Sequence, residues 1–285
     1  MSEIEPLEFE AVCRSFARWI LQQKRLLHPS DLYVVGVNGT IGQGKTVFSR
    51  AVARHLNTLL GSEEGQAIVR SLDDYYLPKA DRYRPEFLAR GYNPNEIPNR
   101  GPAGTHDTER LWRDLQSLMS SSPTATGGGS IELSAFDKQT DDRSPEPYRV
   151  FGKVGVFILE GWFVGTRTDV DPEKCDPGLK RSVAVALNDY KPIFDRLDGL
   201  WVFEPPRTLE EIVAQRIEQQ ETLNRDTGRT GMAPDHIRRF VDYFYKESWQ
   251  KDVTSPIPSR RSASFWAKTD SHHRILSINP PSFGS

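Results

Sequence analysis

Residues 39–46, Gly-Thr-Ile-Gly-Gln-Gly-Lys-Thr, fit the pattern G-x-x-x-x-G-K-[ST]. Each residue type answers to the chemistry of a polyphosphate. Gly39, Gly42 and Gly44 lack a Cβ and can take positive φ, so successive backbone N–H groups can converge on phosphate oxygens. Thr40, Ile41 and Gln43 complete the loop, Lys45 reaches the terminal phosphates, and the Thr46 hydroxyl is a ligand for Mg²⁺. The expected ligands are therefore a nucleoside polyphosphate and Mg²⁺. The loop alone leaves open whether the γ-phosphate passes to water, to a protein or to a small molecule.

In open parallel sheets ligands lie beyond the carboxyl ends of the strands, so polar residues directly after apolar runs carry most weight. Asp73, in Ser-Leu-Asp-Asp-Tyr-Tyr after the run 67–72, can orient an attacking hydroxyl and accept its proton. The alternative is a turn cap or a water-mediated Mg²⁺ contact; Asp74 reads as structural or as part of the metal shell. Glu160 ends the run 154–159, where a carboxylate completes the Mg²⁺ shell with Thr46; the alternative is a buried acid paired with a base. His106 and Asp107 open a helix after a Gly-rich turn, and Asp107 is equally a helix N-cap. Lys138 and Arg143 can hold an anionic substrate group or stand as solvated loop charges. Arg216, Arg225 and Arg229 surround a helix end and a Gly-rich break, as a lid closing over phosphate does, or as an exposed helix face does.

The elements that must position these residues alternate. Strand-like runs lie at 32–37, 67–72, 131–136, 154–159 and 200–203, with a last pair at 263–267 and 274–278. Helical patterns fill 46–60, 107–119, 183–197, 209–224 and 233–247, after an N-terminal helix within residues 1–30 that carries Phe9, Val12, Phe16, Trp19 and Ile20 on one face. Thr208 and Glu211 form a capping box, and Ile237, Phe240, Val241 and Phe244 form a core stripe. The expected fold is α/β, a doubly wound and mainly parallel sheet in one domain spanning 1–285. Loop insertions occupy 78–104 and 120–130, and a lid and helical region 208–250.

Composition narrows the function classes. Hydrophobic residues make up 37% of the 285, and no run approaches the ~18 apolar residues of a membrane span. The acidic, amphipathic start resembles neither a secretory signal nor a transit peptide. Two distant cysteines argue against a disulfide framework, so a reducing cytoplasm is expected. A net charge of −2 gives no basic footprint for nucleic acid, and the expected partner is a small-molecule acceptor. The chain contains neither D-x-x-G nor N-K-x-D, which regulatory GTPases use, and no L-S-G-G of transporter ATPases.

The phosphate loop together with SLDDYYL, GPAGTHD, FDKQTDDR, FILEGWFVG and TGM before a helix resembles the D-glycerate 3-kinases of plants and their fungal and bacterial relatives. That group is related to uridine kinase, phosphoribulokinase and bacterial pantothenate kinase. The resemblance runs from about Leu32 onward, and its G-T-H-D and L-E-G-W elements are more specific than the phosphate loop. It implies a P-loop kinase fold and transfer of the ATP γ-phosphate to a small-molecule hydroxyl. It also implies a catalytic carboxylate at Asp73, an acidic metal residue at Glu160, acceptor contacts around 104–107 and 136–143, and lid arginines at Arg216 and Arg225. A nucleoside acceptor would instead use aromatic stacking, for which Tyr75, Tyr76, Tyr83 and Tyr92 are the candidates.

Overall fold

A computed structural model describes residues 5–28, 31–90, 100–120, 130–204, 208–228, 231–243, 263–270 and 272–279. Tyr92, Phe244, Arg229 and the interiors of both expected insertions lie outside them. Helix α1 (Phe9–Leu27) is capped by the Glu8 carboxylate, and strand β1 (Tyr33–Asn38) then leads through the phosphate loop into α2 (Lys45–Leu59). Strand β2 (Gln66–Ser71) ends in a single 3₁₀ turn, Leu72–Tyr75, followed by two one-turn helices, α3 (Lys79–Arg82) and α4 (Pro85–Leu88). Next come α5 (Thr108–Ser120) and four short or edge segments: β3 (Ser130–Leu133), β4 (Phe136–Asp137), β5 (Asp142–Arg143) and β6 (Tyr148–Phe151). Strand β7 (Val154–Gly161), α6 (Leu179–Leu187), α7 (Lys191–Phe194) and β8 (Gly199–Phe203) follow. The chain then forms α8 (Leu209–Thr227), α9 (Pro234–Tyr243), β9 (Ala263–Thr269) and β10 (Ile275–Asn279).

The central sheet has the order β10-β9-β8-β1-β7-β2, parallel except for the β9–β10 pair. Strands β1, β7 and β8 are buried throughout, which is why their sequences run apolar without alternation. One face packs against α1 and α2. There Trp201 lies 4.8 Å from Phe16 and 4.4 Å from Phe48, ring centre to ring centre, and joins both helices to the sheet. The other face is covered by α5, α6 and α7. Register puts Glu160 of β7 level with Val37 of β1 and Ser71 of β2, so the ends of all three strands meet at one edge.

Two expectations are corrected. The run 131–136 is not a strand of the main sheet: β3 pairs antiparallel with β6 as a separate ribbon. Its Glu132 is exposed and pairs with Arg149 at 3.1 Å, so only one side of the ribbon meets the core. The pattern 183–197 is not one helix. It breaks at the 3₁₀ turn Asn188–Tyr190, and Pro192, which cannot donate a backbone hydrogen bond, starts α7. The capping box of α8 forms, with Glu211 N–H donating to Thr208 Oγ1 and Thr208 N–H donating to Glu211 Oε2, each at 3.2 Å. Ile237 and Val241 pack with Ile212 and Val213 as the core stripe requires.

Candidate active site

The phosphate loop is built before any ligand is considered. Gly42 has φ +90°, and a Cβ there would stand 3.1 Å from the backbone nitrogen of Arg216, so this glycine serves both the turn and the close approach of α8. Gln43 is buried; its amide donates to Glu204 O at 2.7 Å, and its Oε1 accepts from Thr40 N–H at 2.5 Å. These bonds brace the loop against the end of β8, leaving the backbone N–H groups at the α2 N-terminus to face an anion. Lys45 Nζ donates to Thr40 O at 2.8 Å, and burial lowers its pKa.

Thr46 Oγ1 donates to Glu160 Oε1 at 2.8 Å. Burial pushes the Glu160 pKa up, with Lys45 and the Thr46 hydroxyl opposing it only in part. A buried hydroxyl–carboxylate pair short of positive charge fits a hard divalent cation with oxygen ligands. Thr46 and Glu160 are the residues that would hold Mg²⁺.

Asp73 projects from the 3₁₀ turn after β2. The turn is fixed by its neighbours: Asp74 accepts from Ser71 N–H at 2.8 Å and pairs with Arg70 at 3.1 Å, a structural role. Both Asp73 oxygens are engaged, Oδ1 by the Tyr76 hydroxyl at 2.8 Å and Oδ2 by Lys138 Nζ at 2.7 Å. Burial alone would raise its pKa, but the Lys138 ammonium and the Tyr76 hydroxyl outweigh it and hold the carboxyl well below the usual range. Asp73 reciprocally raises the Lys138 pKa.

A cleft of about 320 Å³ joins these groups and is lined by Gly44, Lys45 and Thr46 together with Asp73, Lys138 and Glu160. Arg216 lines it from α8, and Met232 and Phe240 do so from the segment around α9. The buried Nη1 of Arg216 has no hydrogen-bond partner among the described residues, as suits a donor awaiting an anion. Arg225 instead donates to Thr222 Oγ1 at 3.2 Å and does not line the cleft.

The G-T-H-D stretch supports the cleft from behind. His106 is buried, although its polar sequence neighbours read otherwise. Its ring stacks on Tyr76 with centres 4.5 Å apart, and Nδ1 shares a hydrogen bond with the Tyr190 hydroxyl at 2.8 Å. Burial lowers the pKa of His106 to about 3, so the ring is neutral. Asp107 caps α5 by accepting from Arg110 N–H at 2.9 Å and also pairs with Arg143. Neither His106, Asp107 nor Arg143 lines the cleft.

Sequence reasoning missed Tyr76 as a partner of Asp73, and Arg100 and Trp162 as cleft walls. The i, i+3 spacing of Asp73 and Tyr76 on a tight turn was a usable signal, because residues three apart eclipse there. Trp162 closes the L-E-G-W element, which gave it no role, and Arg100 has no local pattern. Trp162 reaches the wall by donating Nε1–H to Gly101 O at 2.8 Å, across sixty-one residues.

No family model matches the chain. The probable ATP-dependent kinase TDA10 of Saccharomyces cerevisiae is 25% identical over 218 residues, 73% of each chain. Among solved structures, the YGR205w protein superposes with a TM-score of 0.76 at 21% identity, covering 98% of this chain and all of the other. The D-glycerate 3-kinase of Cryptococcus neoformans var. grubii does so at 0.72 and 20% identity, covering 95% and 99%. With the sheet order and phosphate loop above, this chain has a P-loop kinase fold, similar to that of these solved structures.

Proposed function

We propose that this protein is an ATP-dependent small-molecule kinase that transfers the γ-phosphate to a hydroxyl, with D-glycerate as the acceptor and 3-phosphoglycerate as the product. One observation carries the reading: Asp73, with both oxygens already hydrogen-bonded, opens on the same cleft as Lys45, Thr46 and Glu160. The relationship to TDA10 and to a D-glycerate 3-kinase supports it.

In this reaction the acceptor oxygen forms a bond to the γ-phosphorus while the bond to the β,γ-bridging oxygen breaks, and ADP leaves. The acceptor proton passes to Asp73. Because such transition states are loose, the carboxylate acts mainly by orienting the hydroxyl, and a low pKa is no handicap until the proton moves late. Lys45 and Arg216 meet the charge on the transferring group. Mg²⁺, held by Thr46 and Glu160, would supply further neutralisation of the phosphate oxygens. Trp162, Met232 and Phe240 supply apolar wall to the same cleft.

The nucleoside alternative loses support with its aromatic candidates. Tyr75 is fully buried, and Tyr76 spends one face on His106 while Phe136 meets it edge-on. ADP release with Mg²⁺-ATP and a panel of D-glycerate, L-glycerate, pantothenate, uridine and ribulose 5-phosphate tests the proposal. Turnover is expected with D-glycerate; preferred turnover of uridine or pantothenate would replace the acceptor while keeping the reaction class.

A further inference from the structure

We propose that Arg100 is the residue that recognises the anionic group of the acceptor, so that the cleft selects small hydroxylated anions over neutral hydroxyl compounds. The proposal rests on the kinase reading above. Arg100 lines the cleft beside Asp73, Tyr76, Lys138 and Trp162. Its guanidinium is held from two sides: Nη1 donates to Asp141 Oδ1 at 2.6 Å, and the group lies 5.7 Å over the Phe136 ring. The next residue, Gly101, is tied to Trp162 through its carbonyl. The fork is thereby fixed before an acceptor arrives, which reduces the entropy lost on binding.

Arg100 is the cleft-lining cation whose carboxylate partner is shared with a second arginine. Asp141 is already met by Arg82, a fully buried arginine whose Nη2 donates to both its carboxylate at 3.0 Å and its carbonyl at 2.6 Å. Two arginines thus share the Asp141 carboxylate. The other cations are committed elsewhere. Lys138 is paired with Asp73, Lys45 and Arg216 belong to the phosphate end, and Arg143 is drawn away to Asp107. A planar guanidinium matches a carboxylate or phosphate with two parallel hydrogen bonds, which an ammonium does not. A site built to bond such a group also rejects an analogue lacking it, because its donors are then left unpaired.

The test compares wild type, Arg100→Lys and Arg100→Met with Mg²⁺-ATP, using D-glycerate and its uncharged counterpart glycerol at up to molar concentration. Arg100→Met is expected to raise KM for D-glycerate roughly 10- to 100-fold while KM for ATP stays put. The preference for D-glycerate over glycerol should collapse by a similar factor, Arg100→Lys should fall between, and added methylguanidinium should partly restore Arg100→Met. Equal losses on both acceptors, or an unchanged preference in both variants, would overturn the assignment. A wild type that prefers neutral acceptors overturns it too and leaves the kinase reading standing. No acceptor-dependent turnover at all overturns both.

Discussion

Asp73 sits where two opposed forces on its carboxyl can be separated by mutation. Burial favours the protonated form; Lys138 and Tyr76 favour the ionised form and win. Replacing Lys138 with Met leaves burial unopposed by the ammonium, so the Asp73 pKa rises. The acid limb of kcat/KM should therefore move to higher pH, by about one to three units for loss of an adjacent opposite charge. An unmoved limb in Lys138→Met would contradict the assignment of Asp73 as the group that must be ionised. His106 allows a second test at this scale. The folded chain excludes the proton that an unfolded histidine takes up near pH 6.5, with its own pKa about 3. Stability from this group is therefore full above pH 6.5 and falls as pH drops toward 3, by at most about 1.4 kcal/mol per unit. Urea titrations between pH 6 and 4 should show a shallower loss in His106→Phe, which keeps the ring against Tyr76, than in wild type; equal slopes would contradict a buried neutral imidazole. Asp73 and Glu160 were legible because a strand end followed by an acid is a local pattern. His106 was not legible, because its burial comes from Tyr76, Phe163 and Tyr190, each contributed by a different part of the fold.

At the scale of elements, the turn joining β4 and β5 carries Lys138 to Asp73, and Asp141 holds that turn in place. Asp141 has φ 55°, accepts from Arg82 and Arg100, and so links the segment after β2 to the loop before β6. Asp141→Ala removes the carboxylate that the buried Arg82 guanidinium shares with Arg100 and should cost about 3 kcal/mol of folding stability. It should also raise the acceptor KM, because Lys138 and Arg100 both lose their frame. A variant with wild-type urea midpoint would contradict this role. The sequence FDKQTDDR showed its charges but not their partners: Lys138 goes to the cleft, Arg143 to a helix cap, and Asp141 to two arginines. The strand expected at 131–136 failed for a related reason. A short apolar run does not say whether its neighbours lie in the main sheet or in a ribbon beside it.

At the scale of the whole molecule, α1 is part of the core that supports the phosphate loop. Phe16 stacks on Phe48 of α2 at 5.9 Å, and both meet Trp201 of β8. The single-domain reading then predicts that a chain lacking residues 1–28 will not unfold cooperatively, and that Phe48→Ala will cost about 3–5 kcal/mol. A truncated chain with a sharp thermal transition and intact nucleotide binding would contradict it. The parallel sheet was legible because three fully buried strands leave long apolar runs between helical patterns. Apart from Arg216, the cleft walls were not, since Arg100, Trp162 and Phe240 meet only after the chain has closed over itself.

The central claim concerns where the γ-phosphate goes, and phosphorus NMR of Mg²⁺-ATP incubated with the protein and D-glycerate tests it most directly. The account predicts a new phosphomonoester resonance growing in step with ADP, and its loss by at least about 100-fold in rate in Asp73→Asn, as expected for a group that orients and deprotonates the nucleophile. Inorganic phosphate as the sole product, or an Asp73→Asn variant as fast as wild type, would contradict it.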